Sequence, residues 1–284
     1  MGLFRRGMHF GSYTVPGPPE ALFGRIADAA QVAEAAGFDA LSVPDHLLQN
    51  DVGGGPDAPM FEAYTLLGAL AARTTTARLF ALVSPVTLRS PGLLAKAVTS
   101  LDVISGGRAV LGVGAGWDEA EHARYGIPFP PLAERMDRLD ETLSICRALF
   151  SAPRATFTGV HYRVDDAPHA PRPLAGTIPI LVAGGGERRT LALVARHADA
   201  CNVFGDAATV AHKLDVLDGH CRAIGRDPAD ITRTVFLMAA EVGATFRSTL
   251  ESLVAVGVDG VVVLGTFDHG TIGALGRAMS DVLG

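Results

Sequence analysis

The chain has 284 residues, 48% hydrophobic and 19% charged, with a formal net charge of −6. That composition excludes a disordered chain and supplies a sizeable core, while the scattered Lys and Arg exclude the clustered basic face of a nucleic-acid binder. Cys146, Cys201 and Cys221 are too widely spaced for a disulfide framework and fit a reducing cytoplasm; the N-terminal segment lacks the apolar run of a signal peptide, and no stretch reads as a membrane span.

Periodicity predicts strand-like and helix-like segments in alternation. A strand over 8–13 leads into an amphipathic helix over 19–37, ended by Gly37. A second strand over 38–46 is followed by a loop and a helix near 61–73. The third strand covers 77–87 and its helix 90–105, with Pro91 in the first turn and Gly106 past the end. A fourth strand, 108–116, precedes a long helix over 131–150. The Pro-rich stretch 151–177 breaks the rhythm, and its alternating apolar residues around Thr158 and Gly159 predict a small hairpin, a candidate lid whose Phe157 and Tyr162 would face a ligand. Then come strand 178–186 with helix 187–198, and strand 199–205 with helix 206–225. Strand 231–239 with a helix near 246–256, and strand 258–265 with helix 271–283, complete the series. Eight such units predict a single (β/α)8 TIM barrel over 1–284, with 151–177 inserted after the fourth unit.

The segment "VLGVGAGWDE" tests the rival, a dinucleotide fold. Gly112 and Gly114 fit the G-x-G-x-x-G fingerprint, but its third slot holds Trp117, too bulky for close helix–strand packing. In a barrel the same segment is a strand reaching the active-site mouth, where βα loops carry the chemistry. The strand ends then nominate Asp45 and His46, Ser84, the Gly114–Ala115–Gly116–Trp117 wall, Gly184–Gly185–Gly186, and Phe204 with Gly205. A triple glycine with Glu187 opening a helix would aim backbone N–H groups at an anion; from motif shape alone, a plain flexible turn reads equally well. His46 beside Asp45 could position substrate or move a proton. No histidine or cysteine pairing has metal-ligand spacing, so no metal is expected.

These pieces resemble one known family. "GFDALSVPDHL" (37–47), the long run from Val83 to Phe129, "ERMDRLDETL" (134–143), "GVHYRV" (159–164) and the run from Ile180 to Gly205 are similar to the luciferase-like monooxygenase superfamily, in particular its coenzyme F420-dependent oxidoreductases. The resemblance implies a barrel holding a deazaflavin or flavin at its mouth. It implies a non-proline cis peptide within Ala81–Leu82–Val83–Ser84, ring contacts from Gly114 to Trp117 and from Phe204 and Gly205, and phosphate contacts from Gly184 to Glu187. His46 and Asp45 match a pair near the reacting face. The sugar-phosphate dehydrogenase branch carries a glutamate acid where this chain has Trp117, leaving Glu119 as a substitute candidate whose alternative is a surface helix-start acid. The implied function is F420-dependent hydride transfer to or from a small organic substrate by a cytoplasmic homodimer. The alternatives are an FMN-dependent monooxygenase and a non-catalytic flavin-binding protein.

Overall fold

The computed structural model describes residues 2–15, 17–238 and 243–284. Its elements are β1 (Arg6–His9), α1 (Pro19–Ala35), β2 (Ala40–Val43), α2 (Ala63–Ala71), β3 (Arg78–Ala81), β4 (Ser84–Pro85), α3 (Pro91–Ser105), β5 (Leu111–Gly114), α4 (Glu119–Arg124), α5 (Leu132–Ser151), β6 (Arg154–Thr158), β7 (Arg163–Pro168), β8 (Ile180–Ala183), α6 (Thr190–His197), β9 (Ala200–Val203), α7 (Ala207–Ala223), β10 (Thr232–Leu237), α8 (Ala244–Ala255), β11 (Gly260–Leu264) and α9 (His269–Leu283). The large sheet is parallel throughout, in the order β3-β2-β1-β11-β10-β9-β8-β5-β4. Its two ends belong to one barrel strand: β3 pairs with β2, β4 pairs with β5, and a bridge from Leu79 to Ala109 joins the base. Counted that way, eight strands close the ring. Between β3 and β4 the Leu82–Val83 peptide is cis, inside the expected window.

The strands are short apolar runs because both faces are covered. Phe4, Ala40, Phe80, Val110, Leu181, Ala200 and Val262 fill the barrel interior. A much larger cluster lies between the strands and the surrounding helices. Local signals set the helix ends: α3 begins on Pro91 and stops at Gly106, whose φ of 71° is left-handed, as a helix C-terminus favours. Among the described residues no helix is long and apolar enough to cross a membrane.

Several boundaries differ from the sequence reading. The first strand occupies Arg6–His9 rather than 8–13, because its register with Val261–Leu264 starts at Arg6 and the chain turns after His9. The helix expected from Glu187 begins at Thr190, after a turn in which Leu191 N–H bonds the Gly186 carbonyl. Ala239, the end of the expected seventh strand, lies outside the described residues. The insert does contain a hairpin, β6–β7. Its loop is fixed to α5 by Glu141, whose carboxylate accepts the N–H groups of Val160, His161 and Tyr162. Phe157 and Tyr162 pack on the core, and Tyr162 also lines a separate cleft with Glu134 and Arg138.

Candidate active site

At the C-terminal ends of the strands lies a cavity of about 330 Å³, within the size range of small-molecule sites. Leu82, Val83, Gly114, Ala115, Gly116, Trp117, Ala183, Gly184 and Phe204 line it, with Thr190 at one end and His46 at the other. Glycine is required here for space. A Cβ on Gly114 would stand 2.9 Å from the Val83 side chain, and Gly116, at φ 81°, would put one 2.9 Å from Thr87 Oγ1. A second cavity of about 240 Å³ adjoins the first and shares His46, Leu82, Trp117 and Phe204 with it. Trp117 and Phe204, 64% and 54% exposed, stand at this junction.

His46 is held by a group the sequence reading missed. Its Nδ1 lies 3.0 Å from Glu121 Oε2, while Glu121 Oε1 accepts the N–H groups of Leu47 at 2.6 Å and Leu48 at 3.0 Å. Glu121 is buried, and the Trp117 ring meets His46 edge-on at 5.4 Å. Burial alone would lower the His46 pKa, but the hydrogen bond and charge of Glu121, helped by Asp118 and Asp45, outweigh it and raise it. Burial likewise disfavours the Glu121 anion, yet the His46 bond and the two backbone donors hold its pKa below the ordinary value. Each partner therefore favours the charged form of the other, an imidazolium beside a carboxylate.

Three expectations need correction. Asp45 faces away from both cavities: Arg89 grips it in a two-pronged contact of 2.7 and 2.8 Å, and the Ser84 hydroxyl donates at 2.6 Å. It anchors the strand end, together with Ser84, which also bonds Tyr64. Glu119 is exposed at the start of α4, because two residues along a helix turn it about 200° from Glu121. Glu187 turns toward α7, where Lys213 and His212 (at 3.2 Å) contact its carboxylate. Of the nominated backbone residues, Ala81 is fully buried, and Gly185, Gly186 and Gly205 lie beyond the lining. Gly185 and Gly186 nonetheless keep free N–H groups, bonded to no protein acceptor among the described residues. Gly205 has φ 138°, and a Cβ there would fall 2.7 Å from Thr209.

His46, Asp118 and Glu121 place potential ligand atoms within 4.8 Å of one another, a cluster the sequence spacing did not reveal. Each Glu121 oxygen already accepts a hydrogen bond, and Asp118 Oδ1 caps α4 through the Glu121 N–H. A histidine held by a carboxylate in this way can hold and move a proton. The three thiols are fully buried, which pushes Cys146 and Cys201 up to about 12, far from a reactive thiolate.

The sequence model of luciferase-like monooxygenases matches residues 6–245. The chain belongs to the luciferase-like monooxygenase family. A relative from Nakamurella multipartita, named F420-dependent glucose-6-phosphate dehydrogenase, is 36% identical over 177 residues, covering 61% of this chain and 50% of that one. The chain thus spans about half the length of the curated relatives it matches first. Two solved structures match nearly throughout. The F420-dependent tetrahydromethanopterin reductase of Methanopyrus kandleri superposes with a TM-score of 0.80 at 18% identity, covering 99% of both chains. A monooxygenase of Streptomyces bottropensis gives 0.80 at 18%, covering 98% of both. At that identity the likeness establishes the family fold.

Proposed function

We propose that the chain is a coenzyme F420-dependent oxidoreductase transferring a hydride between the deazaflavin and a small organic substrate. The observation that carries the reading is the glycine-lined cavity that runs from Gly184 and Thr190 to the His46–Glu121 pair, with the free N–H groups of Gly185 and Gly186 next to Gly184 in the same turn. A flat ring fits where Gly114 and Gly116 leave no Cβ, with Leu82, Val83 and Ala115 as walls. A phosphate fits the Gly184–Gly186 turn, where the Thr190 hydroxyl adds a donor. Relatives named for F420 dependence support this cofactor over FMN. When bound, F420 would supply or take up the hydride.

The chain's own part is proton handling and exclusion of water. His46 can give a proton to a substrate oxygen that becomes a hydroxyl, and take one back in the reverse direction, while Glu121 balances its charge. Trp117 and Phe204 shield the seam between the two cavities. The sugar-phosphate activity named for the relatives is not part of the proposal, because Trp117 occupies the position of that branch's glutamate. A cytoplasmic homodimer belongs to the same reading, supported by the family resemblance and by three free buried thiols.

Titration with oxidised F420 and with FMN tests it. F420 should bind clearly more tightly, and F420H2 should be consumed only with an organic acceptor present. Tighter FMN binding with oxygen uptake would move the chain to the monooxygenase reading.

A further inference from the structure

The second cavity holds a polar group that neither His46 nor the proposed cofactor site uses. His9, at the end of β1, is 7% exposed and lines this cavity. Its Nδ1 lies 2.9 Å from Ser42 Oγ on the neighbouring strand β2, and its ring meets Phe236 edge-on at 5.4 Å. Among the described residues no protein group bonds Nε2. That nitrogen stays open because residue 11 is glycine: a Cβ there would stand 3.2 Å from Nε2 and 3.0 Å from Cδ2. The remaining walls are mainly apolar, with Pro44, Leu82, Phe204, Phe236 and Leu264 prominent. Apart from His46, whose charge Glu121 already answers, no ionised side chain lines the cavity among the described residues.

We propose that this cavity is the substrate subsite and that it takes an uncharged, mainly apolar carbonyl compound or the corresponding alcohol, held at its oxygen by His9 Nε2. The proposal rests on the oxidoreductase reading for the role of the adjoining cavity. A phosphate or carboxylate substrate would meet no unpaired cation among the described residues of this chamber, so the hydration it gave up would go uncompensated. A carbonyl or hydroxyl oxygen needs a single partner, and burying it without one costs about 1–3 kcal/mol. Neutral imidazole serves both redox states. With Ser42 O–H donating to Nδ1, Nε2–H donates to a carbonyl; with Nδ1–H donating to Ser42, Nε2 accepts from an alcohol. The Ser42 hydroxyl rotor permits either arrangement without moving a heavy atom. Burial first, and then the His46 charge, lowers the His9 pKa to about 3, which keeps the ring neutral.

Calorimetric titration with cyclohexanone, cyclohexanol and glucose 6-phosphate, with and without oxidised F420, tests the subsite in wild type and three variants. Cyclohexanone and cyclohexanol should bind wild type saturably, and glucose 6-phosphate should not. His9→Leu should weaken both by about tenfold, the equivalent of one hydrogen bond. His9→Gln, whose amide can donate or accept near the Nε2 position, should recover most of the loss. Gly11→Ala, which covers Nε2 and leaves His9 intact, should match His9→Leu and stands in for it if that variant does not fold. F420 affinity should be the same in all four proteins. Undiminished ketone binding in folded His9→Leu or Gly11→Ala, or tighter binding of glucose 6-phosphate than of the ketone, would overturn the subsite. Absence of F420 binding alongside His9-dependent ketone binding would instead overturn the cofactor reading and leave the subsite standing.

Discussion

Replacing Glu121 by Gln keeps the shape and one backbone-accepting oxygen but deletes the charge opposite His46. At 3.0 Å the pair's Coulomb attraction is about 5 kcal/mol for an effective dielectric of about 20. Part of that is lost to the water reaching His46, which leaves a drop of about one to three pKa units, in the usual range for removing a close opposite charge. Without Glu121, burial is the leading influence on His46 and acts in the same direction. At pH above the wild-type His46 pKa the imidazolium fraction should fall by about 10- to 1000-fold, and turnover that needs its proton should fall with it. The assay is the pH profile of kcat/KM for F420H2-dependent reduction, paired with an NMR titration of the His46 ring. The alkaline limb, which reports loss of the His46 proton, should move to lower pH by the same interval as the ring titration, with F420 affinity unchanged. An unmoved His46 titration would refute the electrostatic account. A shifted titration with unchanged kinetics would remove His46 from the proton path.

Thr190→Val deletes a hydroxyl at the end of the first cavity and should weaken F420 binding about five- to tenfold, read by deazaflavin fluorescence; unchanged binding would move the phosphate away from α6. Asp45→Asn leaves Arg89 with only the half-exposed Glu62, so stability should drop by about 3 kcal/mol and Tm by about 5–10 °C, seen by calorimetry, while F420 affinity holds. His9 couples stability to pH with a definite sign. Its folded pKa of about 3 lies below the unfolded 6.5, so the stability from burying it neutral is complete above 6.5 and is lost as pH falls toward 3. Between about pH 7 and pH 5 this amounts to about 2 kcal/mol, and denaturant curves of His9→Gln should be flatter than wild type by that amount. Parallel curves would mean that His9 titrates normally.

The alternation of short apolar runs with amphipathic helices was enough to read the barrel, because each βα unit carries its own signal and the units repeat. The position of the cis peptide came from the resemblance alone; nothing in "ALVS" marks it physically. Side-chain direction was the harder matter. Asp45 and His46 are neighbours in the loop just past β2, and only His46 lines the cavity. Arg89, 44 positions away in sequence, holds Asp45. Glu121 escaped notice because α4 has six residues, too few for a periodic signal. The spacing of Asp118 and Glu121 does match a helix-capping box, and could have nominated the helix. The departure from that motif is informative, since the Glu121 carboxylate reaches Leu47 and Leu48 rather than its own helix start. His9 needed the register of β1 against β2, which pairs it with Ser42 and turns it into the barrel.

Two histidines border the second cavity, and their surroundings push their pKa values in opposite directions. His46 has a buried carboxylate on Nδ1; His9 has a hydroxyl there, and the charge of His46 close by. Groups of one kind pushed apart in this way divide the labour of proton transfer and recognition. The cationic ring is suited to proton delivery, since it can lose a proton and regain it under the hold of Glu121. The neutral ring could deliver one only by taking on a charge that its burial disfavours, so its useful property is a hydrogen bond whose direction can reverse. Two cationic rings would repel each other and admit anions; two neutral rings would leave no proton donor. The arrangement with one of each suits the binding of an uncharged oxygen and its protonation, and it depends on the Glu121 carboxylate at His46 and, first of all, on burial at His9.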